Sequence, residues 1–434
     1  MSALDAVVLN RTIKTRIFFY RQSFLLLVSI VLQLSLGLFF GHVYDMRIFM
    51  ATGYLVATGQ NPYIPQDLSF VFNNPSFQGI TTIGYPPPWS LVLGILYWIG
   101  YSIVPNLLIY NLVIKIPIIA ANIYLAYLTE RVLNKLGASP AISRRAWIFM
   151  IFNPLLIYCS AAWGQFDSMV ALLALLAIVS LSDGSLNIST ILLALAISCK
   201  PTALPLVPVF LIYLKGKSTR RTIQFIIIFI MSMILFCIVP FYLFSWDPSP
   251  IVENWNAHFT VGGGLSFMSF YELINGSYKL PGMWWLLGMI WIPALGIGFL
   301  VIKKGITDLE DLIRKSAGMI LLFFITRSWV SEPNLILVLP LGLILTSLGT
   351  LPRTIFTAIW LLPLAFSIFN ASLPQLFFPS MPDLMSKMLD QAESMNSLRI
   401  IIRTIVVIPW LACGWWVVIK CLRTPLHPGL QTRP

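Results

Sequence analysis
Apolar residues in this chain come in long runs, separated by short polar clusters. The first run, Phe24 to Phe40, ends at Tyr44-Asp45-Met46-Arg47. Others follow at 89–104, 106–128, 146–162, 168–182, 187–214, 222–244, 283–302, 316–348, 354–371 and 398–419. Runs of about 20 apolar residues match the thickness of a bilayer. Backbone groups in hydrocarbon must be satisfied within their own segment, so helices are expected. Period-two alternation is missing, which argues against a β-barrel. Two runs exceed one straight crossing. Proline lacks an N–H and clashes with the preceding turn, so 187–214 is expected to break at Lys200-Pro201. The run 316–348 is expected to break at Arg327-Ser328-Trp329-Val330-Ser331-Glu332-Pro333-Asn334. Residues 45–58 read as a short amphipathic helix on the membrane surface, with Ile48, Phe49, Leu55 and Val56 toward the headgroups. Asn61-Pro62-Tyr63, Asn73-Asn74-Pro75 and Gly84-Tyr85-Pro86-Pro87-Pro88 are turn signals.

Composition agrees with this pattern. Of 434 residues, 58% are hydrophobic and 10% charged, and the mean hydropathy is +0.85. A soluble protein carries about a quarter charged residues. The net charge of +12 marks cytoplasmic loops in such a chain rather than a nucleic-acid partner. The N-terminal tail, with Arg11, Lys14, Arg16 and Arg21, is therefore expected inside, followed by an uncleaved first span. The basic loops at 131–145, 215–221, 303–315 and 420–423 are also placed inside. Only one of the runs 89–104 and 106–128 can then cross. The shorter one, opening after Pro-Pro-Pro, is expected to be a re-entrant or interface helix. The result is an all-α polytopic membrane protein of about 12 spans, with a first outer loop at 43–105 and a second large one at 246–282. Residues 1–434 form a single membrane domain. No internal repeat or soluble domain is visible. Five Cys and three His (42, 258 and 427) show neither a disulfide framework nor zinc-ligand spacing. Asn275-Gly276-Ser277 is a glycosylation pattern whose meaning depends on compartment.

The same threading puts Asp45, Tyr85, Asp167, Lys200, Arg327 and Glu332 on the side away from the cytoplasm. Ionisable groups at membrane depth are expensive and usually functional, and broken helices there line water-filled cavities. Asp45 and Asp167 are the candidate catalytic carboxylates, since a carboxylate within hydrogen-bond reach can take the proton of an attacking hydroxyl. Lys200 and Arg327, with Arg47, suit the oxygens of a phosphate. Tyr85, Trp163, Gln165, Trp329 and Glu332 are the expected substrate-lining residues. Blander roles stay open: Lys200 suits snorkelling to headgroups, Arg327 and Glu332 suit a mutual ion pair, and both indoles suit an interface belt. Lys115, deep in its span, is expected to face the cavity or a carboxylate partner. Gly262-Gly263-Gly264 reads as a flexible loop, because no Gly-Lys-Ser/Thr follows.

These pieces, in this order, resemble the polytopic GT-C glycosyltransferases. The nearest likeness is to mannosyltransferase-type members related to the GPI first mannosyltransferase. The matching stretches are Asp45 with Ala57-Thr58-Gly59-Gln60-Asn61-Pro62-Tyr63, Tyr85-Pro86-Pro87, Trp163-Gly164-Gln165-Phe166-Asp167 and Lys200-Pro201. The likeness covers about residues 20–245, a GT-C-like module. The remainder, 246–434, is similar only around Arg327–Glu332. The resemblance implies a polyprenyl-phosphate sugar donor, a glycan, lipid or protein acceptor, and transfer of a hexose, mannose by likeness alone, with inversion. It implies a multi-pass protein of a prokaryotic plasma membrane, or of the ER in a eukaryote, with an extracytoplasmic site. Arg47 stands where a second acid sometimes sits, so no Asp-x-Asp is present and catalysis without a metal is expected. A secondary transporter or flippase for a lipid-linked or anionic substrate, and a scaffold that only binds lipid-linked sugar, are the alternatives.

Overall fold
The computed structural model describes residues 22–258, 260–370 and 372–423, and all but the side chains of 257, 258 and 372 among them. The basic tail up to Arg21 lies outside the described residues, as do His427, Arg433 and the side chain of His258. Helices dominate. Six are long and apolar enough to cross a membrane: Gln22–Phe39, Leu107–Lys135, Pro140–Ala162, Thr219–Leu243, Gly282–Ile302 and Asn396–Leu422. Six shorter apolar helices accompany them: Pro87–Ile99, Asp167–Ser182, Leu186–Cys199, Pro201–Lys215, Glu332–Ser347 and Arg353–Phe369. The chain is a helical, multi-pass membrane protein. Length alone does not make the shorter six full crossings.

Both expected breaks occur. Lys200 leaves the helix in extended backbone, φ −153° and ψ 121°, the conformation that a following proline favours. Arg327 does the same at φ −77° and ψ 152° after Leu309–Thr326. The helix opening at Pro87 runs 13 residues, to Ile99, at about 1.5 Å per residue too short to cross a core about 30 Å thick.

The helix expected over 45–58 forms, at Val43–Ala57, but its place differs from the expectation. Phe49, Ile48 and Leu55 are buried in protein rather than turned to headgroups. The cause is close packing against Pro87–Ile99. A Cβ on Gly53 would lie 2.7 Å from the Leu93 carbonyl oxygen, and one on Gly94 would lie 2.5 Å from Val56 Cγ1. Small residues let two helix backbones approach in this way. The Phe49 ring then meets Trp89 edge-on at 5.8 Å, and Trp89 stacks on Phe166 at 4.5 Å.

Buried polar side chains fasten the first spans together. Asn111 Nδ2 donates to the carbonyls of Gly37 (2.8 Å) and Phe40 (2.9 Å). One turn further along, Lys115 Nζ donates to Ala162 O at 3.0 Å and to Phe40 O. Lys115 thus neither faces the cavity described below nor meets a carboxylate. It satisfies carbonyls left over where two helices end. Deeper in, Asn122 Nδ2 bridges Gln33 Oε1 at 2.7 Å and Ser160 Oγ at 2.6 Å. Together these contacts fix the exit of Gln22–Phe39 against the exit of Pro140–Ala162.

Candidate functional site
Those two exits carry the first pair of site residues. Pro140–Ala162 ends in a π-helical turn at Tyr158–Ala162, followed by Trp163 and Gly164. Gly164 has φ +101°, and a Cβ there would stand 2.3 Å from Met46 Sδ. A side chain here would be strained by the positive φ and would have to push the Met46 and Lys115 side chains aside. The tight turn swings the Trp163 indole onto Asp45: Nε1 donates to Oδ2 at 2.6 Å. His42 lies flat on the same indole, centroids 4.3 Å apart and planes at 10°. Its Nδ1 is 3.2 Å from Asp45 Oδ2, and its backbone N–H donates to Trp163 O. Burial pushes the Asp45 carboxyl up, but the contacts from His42, Trp163 and Gln165 outweigh it and hold the group below the ordinary 3.8. A carboxylate gripped this way is ionised, oriented and 16% exposed.

The second pair comes from the same turn and the Lys200 break. Asp167 opens the helix that follows Phe166, and its Oδ2 is 2.7 Å from Lys200 Nζ, with side chains 1% and 8% exposed. Gln165 Oε1 lies 3.4 Å from the ammonium, which also sits 5.3 Å from the centre of the Tyr85 ring. Lys200 therefore does not snorkel: it is neutralised inside the protein. Asp167 Oδ1 is buried without a hydrogen-bond partner among the described residues.

The third element is the broken segment after Thr326. Arg327 does not pair with Glu332. Its guanidinium lies 5.1 Å from the Phe323 ring centre, and the described ion pairs do not include it. Glu332, buried, accepts on Oε1 from Ser367 Oγ (3.1 Å) and Asn370 Nδ2 (3.2 Å). Trp329 and Val330 form a two-residue parallel strand with Gly263-Gly264. The glycine run is thus a paired edge rather than a flexible loop. A Cβ on Gly264, φ +64°, would stand 2.4 Å from Val330 O.

One cavity of about 730 Å³ joins these parts. Asp45, Tyr85, Trp163, Gln165, Lys200, Arg327, Trp329 and Glu332 all line it. Asp167 reaches it through Lys200. Arg47 does not: its Nε donates to Val43 O at 3.0 Å and its Nη1 to Ser76 O. Two residues along a helix is a turn of about 200°, so Arg47 points away when Asp45 points in. Sequence reasoning also missed lining residues, namely His42, Trp255, Trp291, Asn334, Asn370 and Gln375. For His42 a signal existed: three residues before Asp45, it shares a helix face with it. Among the described residues no cluster of His, Cys, Asp or Glu suits a metal ion. A cavity with an oriented carboxylate, a guanidinium that no carboxylate among the described residues pairs, and several indoles can hold an anion beside a hydroxyl and accept that hydroxyl's proton. Compared with known proteins, the chain matches no family model and no curated relative.

Proposed function
We propose that this protein is an inverting hexosyltransferase that moves a sugar from a polyprenyl phosphate to an acceptor hydroxyl, without a metal. The observation that carries the reading is the convergence on one cavity of Asp45, held ionised, with Arg327, whose charge no described carboxylate neutralises. In the step, the acceptor oxygen attacks the anomeric carbon as Asp45 takes the hydroxyl proton. The bond from that carbon to the phosphate oxygen breaks, and polyprenyl phosphate leaves as an anion beside Arg327. Single displacement inverts the centre. Asp167 and Lys200, already paired, shape the wall and orient Gln165 and Tyr85 rather than binding phosphate directly. About 12 spans, an extracytoplasmic cavity and mannose as the sugar belong to the same proposal.

The test is purified protein with a radiolabelled polyprenyl-phosphate mannose and a panel of acceptors. Transfer or donor cleavage that Asp45→Asn abolishes and a chelator leaves intact is the expected result. Uptake of the donor's headgroup into vesicles with no cleavage would overturn the reading in favour of transport.

A further inference from the structure
The cavity has two chemically different walls. Lys200, Arg327, Tyr85 and Phe323 make one. The other is made by Glu332, Asn334, Asn370 and Gln375, all from the C-terminal third, and Asp45 stands between the two, within electrostatic reach of Lys200 and Tyr85 and in contact with His42. Three connections place Glu332 and the Gln375 segment near His42. Gly41 N donates to Leu376 O, Leu376 packs with Trp163, and His42 lies within electrostatic reach of Glu332. This second wall carries unspent hydrogen-bonding capacity. Asn334 is 6% exposed, and its Oδ1 is buried with no partner among the described residues. Glu332 Oε2 receives a long contact, 3.4 Å, from Ser331 Oγ. Asn370, by contrast, is braced: Arg403 Nη1 donates to its Oδ1 at 2.5 Å, and Arg403 Nη2 to Glu272 Oε1 at 2.8 Å. Arg403 itself stands behind the wall and does not line the cavity.

We propose that the Glu332–Asn334–Asn370–Gln375 wall is the acceptor subsite, and that it takes a polyhydroxylated ring bearing no anionic group. This rests on the transferase reading, because in a single displacement the acceptor must approach from the side of Asp45 opposite the leaving phosphate. Amides both donate and accept, and a carboxylate accepts twice, so together they match adjacent hydroxyls. The Glu332 carboxylate repels phosphate or carboxylate acceptors. Trp329, which also lines the cavity, offers a face for a sugar ring.

The experiment is saturation-transfer NMR of the full-length protein in detergent, with methyl α-mannopyranoside as probe and a serine tripeptide as rival. The hexoside should show transfer, weakened at least tenfold by Asn334→Ala and by Gln375→Leu. The second, half-buried position guards against a folding failure at the first. In turnover, both variants should raise the acceptor KM at least tenfold. Hexoside signals that both variants leave unchanged, or signals from the tripeptide alone, would overturn the subsite. Donor cleavage with an unaltered acceptor KM refutes the subsite and spares the transferase reading. Hexoside binding lost in the variants, with no donor cleavage by the wild type, does the reverse.

Discussion

The ion pair Asp167–Lys200 gives a prediction whose size follows from its surroundings. The two charges are 2.7 Å apart, and their side chains are 1% and 8% exposed. Asp167→Leu leaves an ammonium stranded among Tyr85, Phe166 and Gln165. Lys200→Met leaves a carboxylate with one oxygen already unpartnered. Breaking a buried pair by removing one partner costs about 3–5 kcal/mol. Replacing both partners with apolar side chains of similar volume is often neutral or better. Each single variant should therefore be destabilised by about 3 kcal/mol or more, and the double variant by less than about 1 kcal/mol, a coupling well outside the range for independent sites. The assay is a double-mutant cycle of unfolding in mixed detergent–dodecyl sulfate micelles. Kinetics supply a second readout. If Arg327 holds the donor phosphate and Lys200 is spent on Asp167, the folded double variant keeps its donor KM within a few fold, whereas Arg327→Met raises it at least tenfold. Losses that simply add in the cycle, within about 0.5 kcal/mol, would refute the claim that the pair is self-contained. A collapse of donor binding in the folded double variant would return Lys200 to the phosphate.

Other perturbations bear on the Asp45 corner. Gly164→Ala puts a side chain into left-handed backbone, at about 1–2 kcal/mol, and into Met46; thermal unfolding should fall and transfer should drop more than stability does. His42→Asn removes the ring that covers Trp163 and should lower kcat about tenfold or more with little change in donor KM, measured in steady-state transfer. The held-down carboxyl of Asp45 predicts a flat acid side to the pH–rate profile, with activity falling only below the ordinary 3.8. Since the folded value is depressed, the stability from its ionised form is complete above that value and is lost as pH falls through the folded one. Trp163→Phe deletes one donor and should move the acid limb upward; an unmoved limb would mean that another group controls it.

Much of the plan was legible because hydrophobic runs and proline report directly on the solvent. The breaks at Lys200-Pro201 and after Thr326 follow from backbone chemistry at single residues, and the structure has both. Chain order also brought Asp45, Trp163 and Lys200 to one cavity, as the charge pattern implied. What the runs could not show was partner choice. Lys200 lies against Asp167, and Lys115 against bare carbonyls, because segments 33 or more residues apart meet only in three dimensions. The burial of Val43–Ala57 was hidden for the same reason. Its apolar face looks like a membrane-surface helix until Gly53 and Gly94 are seen to let Pro87–Ile99 close over it. Arg47, expected at the phosphate, lies off the cavity lining and donates to Val43 O and Ser76 O, because a spacing of two on a helix turns it away from Asp45. In the polar wall Glu332 was legible from the break that runs to Asn334, whereas Asn370 and Gln375 belong to no motif, and the buried Asn334 amide oxygen with no partner among the described residues marks the place.

The account stands on Asp45 as the proton acceptor, and one measurement reaches it directly. Asp45→Asn keeps the shape and the hydrogen bond from Trp163 while removing the charge and the basicity. Single-turnover sugar transfer by the purified variant, with its fold checked by thermal unfolding, should fall by 10² or more, the scale of a positioned general base, with donor affinity close to the wild type's. Transfer within a few fold of the wild type in a properly folded Asp45→Asn protein would contradict the account.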